Sequence, residues 1–223
     1  MKKILPIIIL LFLLINNLCV TAQPKGMGKS DPDAKKILDN VSAKFKSFKT
    51  VSAKFNLKIE NAAGKVQGTK TGTVSLKGIK YRISVTGQEI FFDGNTISTY
   101  DKASNEVQIT PFDPSATTIT PQKLFTSFYD KDFLYVLNGE KKVGAKTLQE
   151  IQLTPTDKSK AFHKVYLTVD KNAKTIQSTK ILENGGNKIS YTLNNMVTTV
   201  NPADASFVFD VKKYPGVEVV DLR

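Results

Sequence analysis

VQGTKTGTVSLKGIKYRISVTGQEIFFDGNTISTYDKASNEVQIT, residues 66–110, decides the fold. Short runs rich in Val, Ile, Tyr, Phe and Thr are cut by turn clusters at Lys77-Gly78, Thr86-Gly87, Asp93-Gly94-Asn95 and Lys102 to Asn105. Connections this short join antiparallel neighbours, because a parallel crossover needs about a dozen residues or more. At Asp93-Gly94 a tight turn requires positive φ, which glycine adopts without strain. Gly68 and Gly72 fall inside a Thr- and Lys-rich run, where glycines predict the bends or bulges that let a sheet curl. The stretch is an antiparallel meander. It holds no catalytic motif, so it describes a surface before it describes a reaction.

Immediately upstream, Val51, Ala53, Phe55, Leu57 and Ile59 alternate with Ser52, Lys54, Asn56, Lys58 and Glu60. That is a strand with one dry and one wet face. Before it, Ser30-Asp31-Pro32-Asp33 starts a helix that the spacing extends to about Phe48, with Ile37, Leu38, Val41, Phe45 and Phe48 on one stripe. The stripe predicts packing on the sheet, at one end or on its concave side. A curled sheet with one apolar face encloses a greasy interior. Val74, Leu76, Tyr81, Ile83, Val85, Ile90, Phe92, Ile97 and Ile109 are the residues the alternation places there.

Downstream, Thr110 to Thr120 breaks the pattern with Pro111 and Pro114. Thr120-Pro121 then opens a short helix that brings Leu124, Phe125, Phe128 and Tyr129 together. Two readings stay open for it: ordinary core packing, or a lid over the mouth of the curled sheet beside a Pro-rich loop. Strands return at Asp132 to Leu137, Ala145 to Thr154, His163 to Asp170, Thr175 to Glu183 and Lys188 to Asn194, and a further one is predicted over Phe207 to Val211. The count is roughly ten or eleven strands with two helices, a mainly β (α+β) domain.

The first residues belong to export. Lys2 and Lys3 precede an apolar run from Ile4 to Ile15, and Val20-Thr21-Ala22 forms a cleavage site before Gln23. The run falls short of the roughly 20 residues of a membrane span. The expected organisation is a signal peptide over residues 1–22 and one domain over 23–223. Cys19, the single cysteine, is a poor lipidation site because Leu18 precedes it, and cleavage removes the thiol and every cysteine-based chemistry with it. Formal charge is +12, or +10 once Lys2 and Lys3 leave with the leader. Export and the lack of any base-stacking motif argue against nucleic acid. The basic excess reads either as a solvated surface or as attraction to anionic lipid headgroups or acidic partners.

Enzyme chemistry finds no support. His163 is the only histidine, no Gly-x-Ser-x-Gly element accompanies it, and no His/Cys/Asp/Glu spacing suggests a metal.

The order of features resembles the LolA-type periplasmic carriers of outer-membrane lipoproteins. The resemblance rests on the amphipathic helix, Gly72-Thr73 before an apolar strand, Tyr81-Arg82-Ile83, Phe92-Asp93-Gly94-Asn95, Tyr100-Asp101 and Thr120-Pro121 before an apolar helix. Phe207-Val208-Phe209 and Pro215-Gly216-Val217-Glu218-Val219-Val220-Asp221 complete it, across essentially all of the chain after the leader. It implies an unclosed β-barrel with helices over its mouth, holding acyl chains in a cavity lined by Phe55, Leu57, Leu76, Tyr81, Ile83, Phe92 and Ile97. Leu124, Phe125 and Phe128 would belong to the lid. It also implies a monomer without cofactor or metal, lipoproteins as cargo, and only transient proximity to membranes. An inner-membrane lipoprotein-releasing ABC transporter complex would load it, and an outer-membrane acceptor would receive the cargo. The chain departs from the family at Lys77-Gly78-Ile79, where members often carry Lys-Arg-Pro and use the Arg to hold the lid. The alternative is a lipid- or lipoprotein-sensing domain of the same half-barrel type, such as an envelope-stress regulator or an outer-membrane receptor. The receptor would need lipidation at Cys19.

Overall fold

Asp31 starts the long helix. In the computed structural model, which describes residues 30–113 and 129–223, the Asp31 carboxylate accepts from the backbone N–H of Asp33 at 2.9 Å, and Pro32 occupies the first turn. The helix, α1, spans Pro32–Lys46 and buries Ala34, Leu38 and Val41. It ends two residues short of Phe48, because Ser47 turns its hydroxyl back onto the carbonyl of Lys44 at 2.6 Å. Phe48 continues the apolar stripe from outside the helix.

Twelve strands follow among the described residues. They are β1 (Thr50–Glu60), β2 (Val66–Lys77), β3 (Lys80–Val85), β4 (Gln88–Phe92), β5 (Thr96–Asp101) and β6 (Glu106–Pro111), then β7 (Phe133–Val143), β8 (Lys146–Pro155), β9 (Phe162–Asp170), β10 (Thr175–Glu183), β11 (Lys188–Val197) and β12 (Glu218–Asp221). One sheet takes them in the order β12-β6-β5-β4-β3-β2-β1-β11-β10-β9-β8-β7. Two antiparallel meanders thus join where β1 pairs with β11, and β7 and β12 are the outermost strands of an unclosed barrel among the described residues. A helical turn, Tyr129–Asp132, leads into β7. Leu124, Phe125 and Phe128 lie outside the described residues.

The turns obey the chemistry read from the sequence. Gly94 has φ +111°, and the Asp93 carboxylate accepts from the backbone N–H groups of Asn95 and Thr96, each at 2.8 Å. Near Gly68 the β1–β2 register shifts between Ile59 and Glu60, which is the bulge expected of a curling sheet. Asp31 docks α1 on the other meander: its backbone N–H donates to the carbonyl of Tyr135 on β7 at 2.8 Å.

Two expectations need correction. Phe207 to Val211 is not a strand. A 3-10 turn covers Asp204–Phe207, a second covers Val211–Lys213, and the residues between cross the sheet without joining it. Phe207 and Phe209 are buried while Val208 is exposed. An extended segment lying over a sheet face buries alternate residues just as a strand does, so alternation alone could not separate the two. The sheet also has two apolar faces rather than one. The main core lies on the concave side under α1. A second cluster, Phe91, Tyr100, Val107 and Phe209 with Ile109, Tyr214 and Val217 packed against it, lies on the convex side of β4–β6. Ile109, assigned above to the interior, belongs there, because it pairs with Ser98, which pairs with Phe91.

Candidate functional site: the apolar concave face

Cross-strand register assembles the face. Leu76 pairs with Tyr81, Tyr81 with Phe92, and Phe92 with Ile97, so these four form a single row across β2–β5. Directly paired residues project to the same side of a sheet. Ile83 follows Tyr81 at the two-residue period, and Phe55 and Leu57 follow Val51, which pairs with Leu76. All seven predicted residues therefore share the concave face. Phe55, Leu76, Tyr81 and Phe92 are buried there, and Leu57, Ile83 and Ile97 pack half-buried against them.

Aromatic contacts stiffen the row. The rings of Tyr81 and Phe92 lie 5.0 Å apart between centroids, and the Phe112 ring sits 4.8 Å from that of Phe92. Phe55 faces Tyr191 at 6.3 Å. Its ring also folds across Gly72, where a Cβ would meet Phe55 Cζ and the carbonyl oxygen of Ser84, both at 2.5 Å. Gly72 is thus the seat on which Phe55 rests.

Burial along the face is graded. On β1, Val51, Ala53 and Phe55 are buried, whereas Leu57 and Ile59 are half-buried. On β3, Tyr81 is buried and Ile83 and Val85 are half-buried. Tyr191 and Leu193 of β11 and Ile181 of β10 continue the half-buried band. The face is tightly filled at the end beside the β2–β3 turn and looser at the other. Its chemistry is neutral: burial pushes the phenols of Tyr81 and Tyr191 above the ordinary tyrosine value, with the charge of Glu183 adding to the effect at Tyr191.

Two recesses flank the face. The larger, about 440 Å³, runs between α1 and β7–β9 and is floored by Ile37, Val41, Leu137 and Val169. At its rim Lys171 donates to both oxygens of Glu140 at 3.0 and 2.9 Å, and Gln149 donates to one of them at 2.6 Å. The Lys171 hydrogen bond, followed by that of Gln149, holds the Glu140 carboxyl below the usual range. None of the seven predicted residues lines this recess. The smaller, about 190 Å³, lies at the opposite end of α1, and Leu76 alone of the seven lines it. His163 is exposed on β9, at a register shift where Leu182 pairs with Lys164 and Glu183 with Phe162.

The convex side carries a charged clamp. Arg82 donates to Glu89 at 2.7 Å and lies 4.7 Å over the Phe91 ring, Lys102 approaches Glu89 at 3.4 Å, and the Tyr214 hydroxyl donates to Glu89 at 3.2 Å. Burial would raise the Glu89 carboxyl, but Arg82 and then Lys102 outweigh it and hold the group below its ordinary value. The clamp ties the C-terminal segment to β3 and β4.

The model of the family described as outer membrane lipoprotein carrier protein LolA matches residues 46–210. The chain belongs to the LolA family. That match runs from the end of α1 through the second meander to Asp210, so it contains all seven residues of the concave row and its surroundings. Among solved structures, an uncharacterised conserved protein of Thermus thermophilus is 14% identical with a TM-score of 0.58, covering 85% of this chain and 99% of that one. Lipoprotein LppX of Mycobacterium tuberculosis is 13% identical, TM-score 0.49, covering 77% and 99%. A LolA-superfamily protein of Nitrosomonas europaea is 12% identical, TM-score 0.44, covering 80% and 98%. At such identities the likeness to the Thermus structure concerns the fold alone. No curated protein sequence matches.

Several residues of this LolA-family face escaped the sequence reading. Tyr191, Leu193 and Ile181 alternate along their strands and were legible as an apolar face, but not as the same face as Leu57. Phe112 follows Pro111 outside any period, and nothing in the sequence marks its tilted contact with Phe92.

Proposed function

We propose that this protein is a periplasmic carrier that shelters the acyl chains of lipoproteins against its concave face and conveys them from the inner to the outer membrane. The observation that supports it is the graded apolar face: a packed floor at Leu76, Tyr81 and Phe92, opening into half-buried Leu57, Ile83 and Tyr191. Each methylene moved out of water gains about 0.8 kcal/mol, so an acyl chain crossing an aqueous space needs such a surface. The loose end serves release, since a carrier matched too closely to its cargo would hold it. Phe55, Leu57, Leu76, Tyr81, Ile83, Phe92 and Ile97 supply the apolar contacts, and Leu124, Phe125 and Phe128 act as the lid. The carrier is a monomer loaded by an inner-membrane ABC transporter complex and relieved by an outer-membrane acceptor. Nothing in this cycle needs a nucleophile, a metal or a cofactor.

Mass spectrometry under native conditions, on protein isolated from its own envelope, tests the reading. Acylated lipoprotein or its diacylglyceryl-modified N-terminal peptide is expected as the bound species. Recovery of empty protein that also fails to take up a synthetic triacylated lipopeptide would overturn it.

A further inference from the structure

The segment Lys44-Phe45-Lys46-Ser47-Phe48-Lys49 closes α1 and is not used by the carrier reading. Its three lysines are exposed, while Phe45 and Phe48 are half-buried between them. The Phe45 and Phe48 rings meet edge-on at 6.4 Å, and Lys44 Nζ lies 5.3 Å over the Phe48 ring. Phe45, Phe48, Val51, Leu76 and Gly78 line the recess of about 190 Å³, with Lys46 and Lys49 at its rim. Next to Gly78, Ile79 stands 54% exposed at the tip of the β2–β3 turn. Val200, 47% exposed, is held at the same end by the Thr50 hydroxyl, which donates to its carbonyl.

Charge at this end is mainly basic. Asp204 takes both Lys77 at 2.7 Å and Lys80 at 3.0 Å, and Asp93, on the turn whose Gly94 lies against Ile79, accepts from the backbone N–H groups of Asn95 and Thr96. Among the described residues Lys44, Lys46 and Lys49 have no ion-pair partner.

We infer that this tip is a membrane-contact surface: Ile79, with the half-buried Phe48 behind it, enters the boundary between headgroups and acyl chains of an anionic bilayer, while Lys44, Lys46 and Lys49 bind the headgroup layer. An exposed aliphatic residue beside a half-buried aromatic, with lysines around them, suits an interface that is apolar below and anionic above. A protein partner fits less well, because lysine is depleted from the cores of protein interfaces. Each lysine near an anionic leaflet improves partition about fivefold, so three together bring roughly a hundredfold. The inference stands apart from the carrier reading, since it needs no cargo.

The chain contains no tryptophan, so a single introduced Trp reports its own surroundings. In the full-length protein freed of its leader, Ile79→Trp should shift its emission to the blue on mixing with vesicles of phosphatidylcholine and phosphatidylglycerol. Val143→Trp, at an equally exposed position on the β7–β8 turn, should not shift. Phosphatidylcholine vesicles alone, or high salt, should abolish the response. In flotation assays with the same vesicles, Lys44→Gln/Lys46→Gln/Lys49→Gln should lower partition at least tenfold, while Lys141→Gln/Lys142→Gln/Lys158→Gln leaves it unchanged. Equal shifts at both Trp positions, equal losses in both triple variants, or binding indifferent to phosphatidylglycerol overturns the proposal. If the first triple variant fails to fold, the paired Trp reporters decide alone. Lipopeptide uptake by the same variants tests the carrier reading separately.

Discussion

Single residues decide how closely the strands of the concave face approach. Gly72 is the sharpest case, because the position a Cβ would take is already filled by the Phe55 ring and the backbone of Ser84. Gly72→Ala must push the ring or the neighbouring strand aside, so urea denaturation should show a loss of about 1–3 kcal/mol, as for other overpacked cores. A neutral result would mean that the ring has free space to swing. Glu89 decides the convex side. Its carboxylate is nearly enclosed and its folded pKa is depressed. Its contribution is therefore complete above the unfolded value, about 4.3, and fades as pH falls through the lower folded one. Glu89→Gln should cost about 1–3 kcal/mol at neutral pH by leaving Arg82 and the Tyr214 hydroxyl poorly matched. Urea midpoints taken from pH 7 downward should converge for the two proteins below about pH 4. A gap that stays constant to the acid end would remove Glu89 ionisation from the account.

At the scale of elements, the C-terminal segment differs most from its reading. Phe207-Val208-Phe209 has the period of a strand but serves as a strap over the convex face, and β12 adds a parallel strand beyond β6. Val107 is fully buried where β6 meets this strap. For residues 121–128, the sequence spacing of Leu124, Phe125 and Phe128 is that expected of one helical face, and the carrier reading proposes it as a lid. Phe125→Ala should then lower stability by no more than about 1 kcal/mol while changing lipoprotein retention or transfer severalfold. Urea stability and transfer, measured on the same variant, separate the possibilities. A loss of about 3–5 kcal/mol with normal transfer by the folded fraction identifies ordinary core.

For the whole molecule, the consequential arrangement is a sheet with a neutral, graded concave face, a sealed convex patch and a basic tip. Placing a charge on the concave row is the direct test of cargo sheltering. Ile97→Asp sits half-buried at the end of that row, so the fold should survive at reduced stability while triacylated lipopeptide binding falls at least tenfold. Unchanged binding would move the cargo elsewhere, with the larger recess beside α1 the next place to look. The exported form is expected to begin at Gln23, and intact-mass analysis of protein recovered from the envelope checks it. A diacylated Cys19 would replace the soluble carrier with an anchored receptor.

The sequence by itself determined the meander, the turn at Asp93-Gly94, the start of α1 at Asp31, and the shared face of Phe55, Leu57, Leu76, Tyr81, Ile83, Phe92 and Ile97. These follow from local rules: strand parity, capping and the φ that glycine permits. Parity also shows why the concave row was legible, since a one-residue slip of any strand would have turned that strand's share of these side chains outward. Only the tertiary structure decided that β1 joins β11, that β12 runs parallel to β6, and that Ile109 faces the strap rather than the interior. It decided as well that Phe55 lies on Gly72 and that the β2–β3 turn at Gly78 shares a recess with Phe48. Each of these brings together segments distant in sequence or on separate elements. Their pairing depends on which faces remain uncovered once the sheet has curled, and no local period carries that information.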